Sequence, residues 1–161
     1  MLIKAGSSIG AKSLKLEASR GATIGENVEL SIFDAVSVVS TGNVSGSEAL
    51  IKQGTTLQSK SLFMKASRAV FIGESAAVQV SDTVQMTSTG TQSGSEVRLK
   101  QGSQVNAQTF SMTSGNEAVL GQNTHVTTSG NFHMNALAPN KCSIANSASI
   151  ISGSTSGNCL P

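Results

Sequence analysis

The chain contains no tryptophan and no tyrosine, only two prolines and two cysteines, and just 12% of its 161 residues are charged. Each scarcity excludes something. Without the large aromatics that usually anchor a globular interior, the core has to be assembled from aliphatic and small side chains. A net charge of +2, dispersed along the chain, lacks the clustered Lys and Arg that neutralise phosphates, so no nucleic acid partner is expected. No apolar run approaches the roughly 18 residues of a membrane helix, so no membrane insertion is expected. The opening MLIKAGSSIG also lacks the long apolar segment of a secretory signal. Low charge is not matched by low hydrophobicity: 38% of residues are hydrophobic, so the chain is expected to fold.

What is present in abundance is self-similarity. Leu2 onward reads LIKAGSSIGAKSLKLEASRGATIGENVELSIFDAVSVVSTGNVSGSEA, and Leu50 onward reads LIKQGTTLQSKSLFMKASRAVFIGESAAVQVSDTVQMTSTGTQSGSEV, so the two align without a gap at an offset of 50 − 2 = 48. Arg98 opens a third, more diverged copy. A fixed period of this size is the signature of a solenoid. The repeated columns are apolar throughout: Leu14, Leu62, Phe110; Leu16, Met64, Met112; Ile24, Ile72, Leu120; Leu30, Val78, Val126; Val36, Val84, Phe132; Val38, Met86, Met134. Within a copy these positions fall two apart, as in Leu14-Lys15-Leu16, which is the alternation of a strand with one buried face.

Each copy divides again, because Ile3 maps to Ile24, Ile9 to Leu30, Leu14 to Val36 and Leu16 to Val38 at shifts of 21 or 22. One repeat is therefore two coils of three short strands. The expected fold is an all-β, right-handed parallel β-helix of six to seven coils. Its repeats span 2–49, 50–97 and 98–136. At a strand spacing of about 4.8 Å the rod is roughly 30 Å long. Segment 137–161 is expected to form a partial coil and cap, with Pro139 interrupting the pattern. In an exported protein Cys142 and Cys159 would close that cap as a disulfide, contributing roughly 3 kcal/mol; two free thiols in the cytosol are the alternative. Because the chain opens directly in a strand at Leu2 without a cap, it is expected to be part of something longer. Gly25, Gly73 and Gly121 form one corner column and Gly6, Gly54 and Gly102 another, where a bend or a positive φ is expected.

Candidate chemistry is sparse. Asp34 and Asp82, the only aspartates, share a column about 10 Å apart, wider than the 5 to about 9.5 Å of a glycosidase pair. A turn role suffices for them. His125 and His133 alternate with apolar neighbours and point outward, possible neighbours on adjacent strands. They have no further ligands for a metal, and no nucleophile sits beside a base. No catalytic residue, metal or cofactor is expected. Basic residues form columns of their own: Lys4, Lys52 and Lys100; Lys12 and Lys60; Arg20 and Arg68. Lys52 and Lys100 stand where Glu48 and Glu96 could pair with them. A solvated face is the simpler reading of the ladder Lys4, Lys52, Lys100, and an anionic glycan laid along it the functional one. The excess length of every second coil falls in two loops, STGNVSGSE and STGTQSGSE. Their exposed candidates for partner binding are Thr41, Asn43, Ser45, Ser47, Glu48, Thr89, Thr91, Ser93, Ser95 and Glu96. Asn43-Val44-Ser45 is also a glycosylation sequon, meaningful only in a eukaryotic secretory setting.

At the strings SLKLEASRGATIGENVELS, SLFMKASRAVFIGESAAVQVSDTVQMTSTG and TFSMTSGNEAVLGQNTHVTTSGNFHM, the chain resembles the repeats of filamentous-haemagglutinin-type adhesins and other bacterial surface β-helices. The likeness covers nearly all of 2–136 and is one of pattern, shared with bactofilins and phage tail fibres. It implies an extracellular or cell-surface rod without a cofactor, structural or adhesive, meeting a surface glycan or partner protein. Two alternatives are a polysaccharide-processing β-helix enzyme and a bactofilin-like protein that self-associates end to end through open strand edges.

Overall fold

The structure is a computed structural model that describes residues 1–138 and 141–160. Among the described residues every regular element is a strand, and the chain winds through seven coils, each contributing one strand to each of three parallel seven-stranded sheets. Sheet A collects the first strand of every coil: Leu2–Ile3, Ala22–Ile24, Ala49–Ile51, Ala69–Ile72, Glu96–Leu99, Glu117–Leu120 and Cys142–Ile144. Sheet B takes Ser8–Ala11, Glu29–Ile32, Thr56–Ser59, Ala77–Val80, Gln104–Ala107, His125–Thr128 and Ser149–Ile151. Sheet C takes Leu14–Ala18, Ala35–Ser40, Ser61–Ala66, Thr83–Ser88, Thr109–Ser114, Asn131–Ala136 and Ser154–Ser156. This is the expected parallel β-helix with three strands per coil.

The half-repeat registers hold residue for residue: Ile3 pairs with Ile24, Ile9 with Leu30, Leu14 with Val36 and Leu16 with Val38. The columns of the two-coil period therefore interleave into continuous interior ladders. In sheet C, Val36, Leu62, Val84, Phe110 and Phe132 stack one above another, each 1% exposed or less. Beside them Val38, Met64, Met86, Met112 and Met134 do the same with no exposure at all. Phe110 and Phe132 lie as near-parallel rings with centroids 5.4 Å apart. Unbranched methionines adapt to the gaps such an all-aliphatic column leaves.

Polar groups inside the rod are matched by backbone. At the end of sheet C, Ala18, Ser40, Ala66, Ser88, Ser114 and Ala136 form a column of small residues. The Ser40 and Ser88 hydroxyls donate to the carbonyls of Arg20 and Arg68, and Ser114 donates to Ser95 at 3.2 Å. These three buried hydroxyls are tolerable because each is satisfied, whereas the buried Ser95 hydroxyl has no partner.

The two glycine columns differ in cause. At the corner from sheet A to sheet B, Gly6, Asn27, Gly54, Ser75, Gly102 and Asn123 all have φ between 52° and 69°, so every coil but the last turns there in the left-handed region that Gly and Asn tolerate best. Gly25, Gly73 and Gly121 do not have positive φ; a Cβ on Gly73 would lie 2.5 Å from the Lys52 carbonyl carbon and 2.6 Å from the Gln53 nitrogen. Close approach of the neighbouring coil, not backbone handedness, excludes a side chain there.

The C-terminal segment is more complete than the partial coil expected from its sequence. Cys142–Ile144, Ser149–Ile151 and Ser154–Ser156 join all three sheets. The interruption expected at Pro139 lies outside the described residues. Cys142 and Cys159 are disulfide-bonded, 17 residues apart, and Cys159 and Leu160 pack against the core with Ala148 and Ile150. Thr155, exposed, replaces the phenylalanine ladder at this level, so the coil brings little apolar burial and the cross-link offsets that.

Replacing Leu62 with Asp buries an unpaired charge in the sheet C ladder and is expected to abolish the cooperative melt followed by circular dichroism; a normal melt would disprove the register. Reducing Cys142–Cys159 should act locally, since solenoid coils contact only their neighbours. Amide exchange at Ile144 and Ile150 is expected to rise by an order of magnitude or more, for roughly 3 kcal/mol of lost constraint, with Leu62 and Val84 still protected.

Candidate functional site

The corner between sheets A and B carries a side-chain arrangement that combines charge, an aromatic face and a depression. Backbone bonds stack Lys4, Gly25, Lys52, Gly73, Lys100 and Gly121 in a single column: the Gly25 amide donates to Ile3, Lys52 to Ile24, Gly73 to Ile51, Lys100 to Ile72 and Gly121 to Leu99, at 2.7 to 3.0 Å. Lysine thus occupies every second rung and glycine the rungs between. Gly73 leaves a notch between Lys52 and Lys100, a cavity of about 220 Å³ walled by Leu50 and Phe71 and edged by Glu26 and Glu74. Leu50 and Phe71 are consecutive members of the outward column of sheet A, which continues to Thr23 on one side and Arg98 and Val119 on the other.

The electrostatics differ from the sequence expectation. Lys52 and Lys100 were expected to pair with Glu48 and Glu96. Instead Lys52 approaches Glu26 at 3.9 Å, Glu96 pairs with Arg98 at 2.6 Å, and the Lys100 ammonium lies 5.2 Å from the centroid of Phe71. The reason is register: Glu26 lies one coil below Lys52 at the same corner, whereas Glu96 begins the strand that contains Arg98. The ladder Lys4, Lys52, Lys100 is therefore no uniform row of cations, because Glu26 and Glu74 occupy the intervening coils. The notch presents ammonium donors, carboxylate acceptors and an aromatic face within one small recess.

The loops sit at the corner from sheet C to sheet A. The first spans 41–48 and the second 89–95, with Glu96 already in a strand. Between them the short corner of coil 3 serves as a brace. Ser67 donates its hydroxyl to the Gly42 carbonyl, and Arg68 reaches up to Gln92 Oε1 at 3.3 Å and the Ser93 carbonyl at 3.1 Å. Arg68, which the sequence sets in a basic column, is engaged by the loop. Thr41, Asn43, Ser45, Thr89, Thr91 and Ser93 are exposed or half-buried, but Ser47 and Ser95 have no exposure and cannot meet a partner. Both turn inward because the chain must re-enter the core at the next residue pair; Ser47 Oγ accepts from the Val44 amide at 3.2 Å. Glu96 is half-buried, and Glu48 likewise. A cleft of about 240 Å³ separates the loops, lined by Asn43, Arg68, Thr89 and Gln92 among others.

The remaining candidates do not assemble. His125 lies in sheet B and His133 in sheet C, so they are not neighbours on adjacent strands; His133 Nδ1 contacts Ser156 Oγ at 3.0 Å. No group of three potential metal ligands occurs among the described residues. Asp34 and Asp82 are separated by a whole intervening coil whose corner residue is Lys60, the Lys60 amide donating to Asp34 and the Asp82 amide to Lys60. The residue that separates the two aspartates in their column is thus a lysine.

No family model, curated protein or solved structure matches this chain. The chemistry of the surface is therefore read from its own residues. Sequence reasoning found the lysines of the notch but missed Phe71 and Leu50. Their signal was present: Leu50 and Phe71 are large apolar residues at outward positions of the strand alternation, where the core does not require them.

Alanine at Gly73 drives a methyl group into the Lys52–Gln53 peptide and is expected to cost about 1–3 kcal/mol, read as a lowered denaturation midpoint.

Proposed function

We propose that this β-helix is a structural and adhesive module of an exported bacterial surface protein, a stiff rod that binds a glycan in the Lys52–Gly73–Lys100 notch. The observation that carries the reading is that recess, in which the Phe71 face, two ammonium groups and two carboxylates converge over a glycine floor. A sugar ring offers apolar C–H faces and a rim of hydroxyls that both donate and accept. An aromatic wall and mixed donors and acceptors suit it better than they suit a purely anionic polymer, which Glu26 and Glu74 would repel. Export is supported by the Cys142–Cys159 disulfide, a bond that persists in oxidising compartments, and by the pattern-level likeness to adhesin repeats. The braced loops, displayed on a rigid scaffold, are a second contact surface, for a partner protein.

The test is binding of the intact protein to an oligosaccharide array, repeated with Phe71→Ser, Glu74→Gln and a variant lacking both loops. Phe71→Ser is expected to lose about fivefold or more in affinity, since stacking of this kind contributes on the order of 1 kcal/mol or more, and loop deletion to leave glycan binding intact. Binding lost on loop deletion and kept in Phe71→Ser would move the site to the loops.

A further inference from the structure

The edge between sheets B and C carries a second column, invisible as a unit in the repeats. The Asp34 amide donates to Lys12 at 2.7 Å, Lys60 to Asp34 at 2.8 Å, Asp82 to Lys60 at 2.9 Å, Gln108 to Asp82 at 2.9 Å and Gly130 to Gln108 at 2.9 Å. Coils 1 to 4 therefore present Lys12, Asp34, Lys60 and Asp82 in strict alternation, and the next two coils present uncharged residues. Lys12 and Lys60 are exposed and Asp34 and Asp82 half-buried, and none of the four is in an ion pair among the described residues. Beside Asp34 projects Phe33, at 80% exposure the most exposed large apolar side chain among the described residues.

The same edge alternates in shape. Val36 follows Leu30 by six positions, whereas Leu62 follows Leu57 by five, although Leu30 pairs with Leu57 and Val36 with Leu62. The extra residue in coil 2 is taken up at the Phe33–Asp34 corner, and coil 3 turns through Lys60 alone between Ser59 and Ser61. A protruding corner thus lies next to a recessed one.

We propose that this edge is the interface of an antiparallel, two-fold dimer of the chain with a second copy of itself. A column of four alternating charges read in reverse is its own complement. With the two-fold axis passing between coils 2 and 3, Lys12 faces Asp82 of the second copy, Asp34 faces Lys60, and the symmetry repeats both pairs. The same operation sets the protruding coil 2 corner against the recessed coil 3 corner. It brings the two Phe33 rings together at the centre, one strand spacing apart along the rod, about 4.8 Å, where water is excluded. A parallel two-fold arrangement would set each charge against itself and is repelled. A parallel arrangement staggered by one coil also pairs opposite charges, but it is heterologous and leaves an open end that continues into a sheet of rods. The uncharged rungs Gln108 and Gly130 limit the register to the four charged coils. Alternation within one chain also relieves repulsion between stacked rungs; the exposed Phe33 at the centre of the column is what that internal role leaves unexplained.

Sedimentation equilibrium of the full chain at low ionic strength, with circular dichroism melts as the folding control, tests the arrangement. The wild type is expected to dimerise, and more weakly as salt screens the pairs. Lys60→Asp turns both central pairs into like charges and is expected to weaken dimerisation on the order of 100-fold, and Phe33→Ser about tenfold. The double variant Asp34→Lys with Lys60→Asp reads Lys, Lys, Asp, Asp, again its own complement in reverse, and is expected to recover dimerisation. The staggered parallel packing is not rescued by that swap, because Lys12 would then meet a lysine. A wild type that stays monomeric at high micromolar concentration overturns the proposal, as does a dimer that the double variant fails to restore.

Discussion

Everything on this rod follows from the backbone hydrogen bonds between successive coils. Each strand is fixed in register with the strand one turn below, so every side chain stands on a particular partner at a spacing of about 4.8 Å. Whatever occupies a position is in contact with what occupies it one coil away. For aliphatic residues this is favourable without further arrangement, and the sheet C ladder of Val36, Leu62, Val84, Phe110 and Phe132 is the result. Small interior hydroxyls are tolerable where a carbonyl of the adjacent turn accepts from them, as Ser114 does on Ser95. For like charges the same stacking is unfavourable, and the Lys12–Asp34–Lys60–Asp82 column shows the alternation that avoids it.

That the repeat is two coils long, rather than one, has the same origin. A lysine at every rung of the sheet A to B corner would stack ammonium on ammonium; lysine and glycine in turn keep the cations two rungs apart. Glycine is also forced there by approach, since a Cβ at Gly25 would lie 2.6 Å from the Ile3 carbonyl oxygen. The long loops obey the same alternation. A loop of that length on every coil would collide with its neighbour, whereas the short corner Ser67–Arg68 between them leaves room and supplies the donors that hold both. Three different corners thus alternate in phase, and the two-coil unit is the shortest period that satisfies all of them.

That physics explains which parts were legible in the sequence. The interior was readable because burial demands an apolar residue at every rung, so the half-repeat shift aligns Ile3 with Ile24 and Leu14 with Val36 directly. The surface was readable only in fragments, because it alternates. The full period sets Lys12 with Lys60 and Asp34 with Asp82 as separate columns, whereas the half-repeat shift that aligns the core also carries Lys12 onto Asp34. Ion pairs were misassigned for a related reason. Glu96 is near Lys100 in sequence but leads a strand in which Arg98 shares its face, while Glu26 is distant from Lys52 in sequence and adjacent in space. The inward turn of Ser47 and Ser95 depended on where each loop re-enters the core, which composition does not encode.

A solenoid this regular also separates residues kept for folding from residues that folding does not need. Core columns must recur, so a residue that recurs is accounted for by stacking. An outward apolar residue that does not recur has no such account. Phe33 is matched in the next repeat by Ser81, and Phe71 by Thr23 in the repeat before it and Val119 in the one after. Neither is demanded by the interior: Phe33 is 80% exposed beside the alternating charges, and Phe71 lies half-buried in the outward column between Leu50 and Arg98, under Lys100. Such breaks in symmetry give a rod whose surface otherwise repeats every two coils a position along its length unlike its neighbours, which is why the proposed glycan notch and the proposed dimer edge are each centred on one of them.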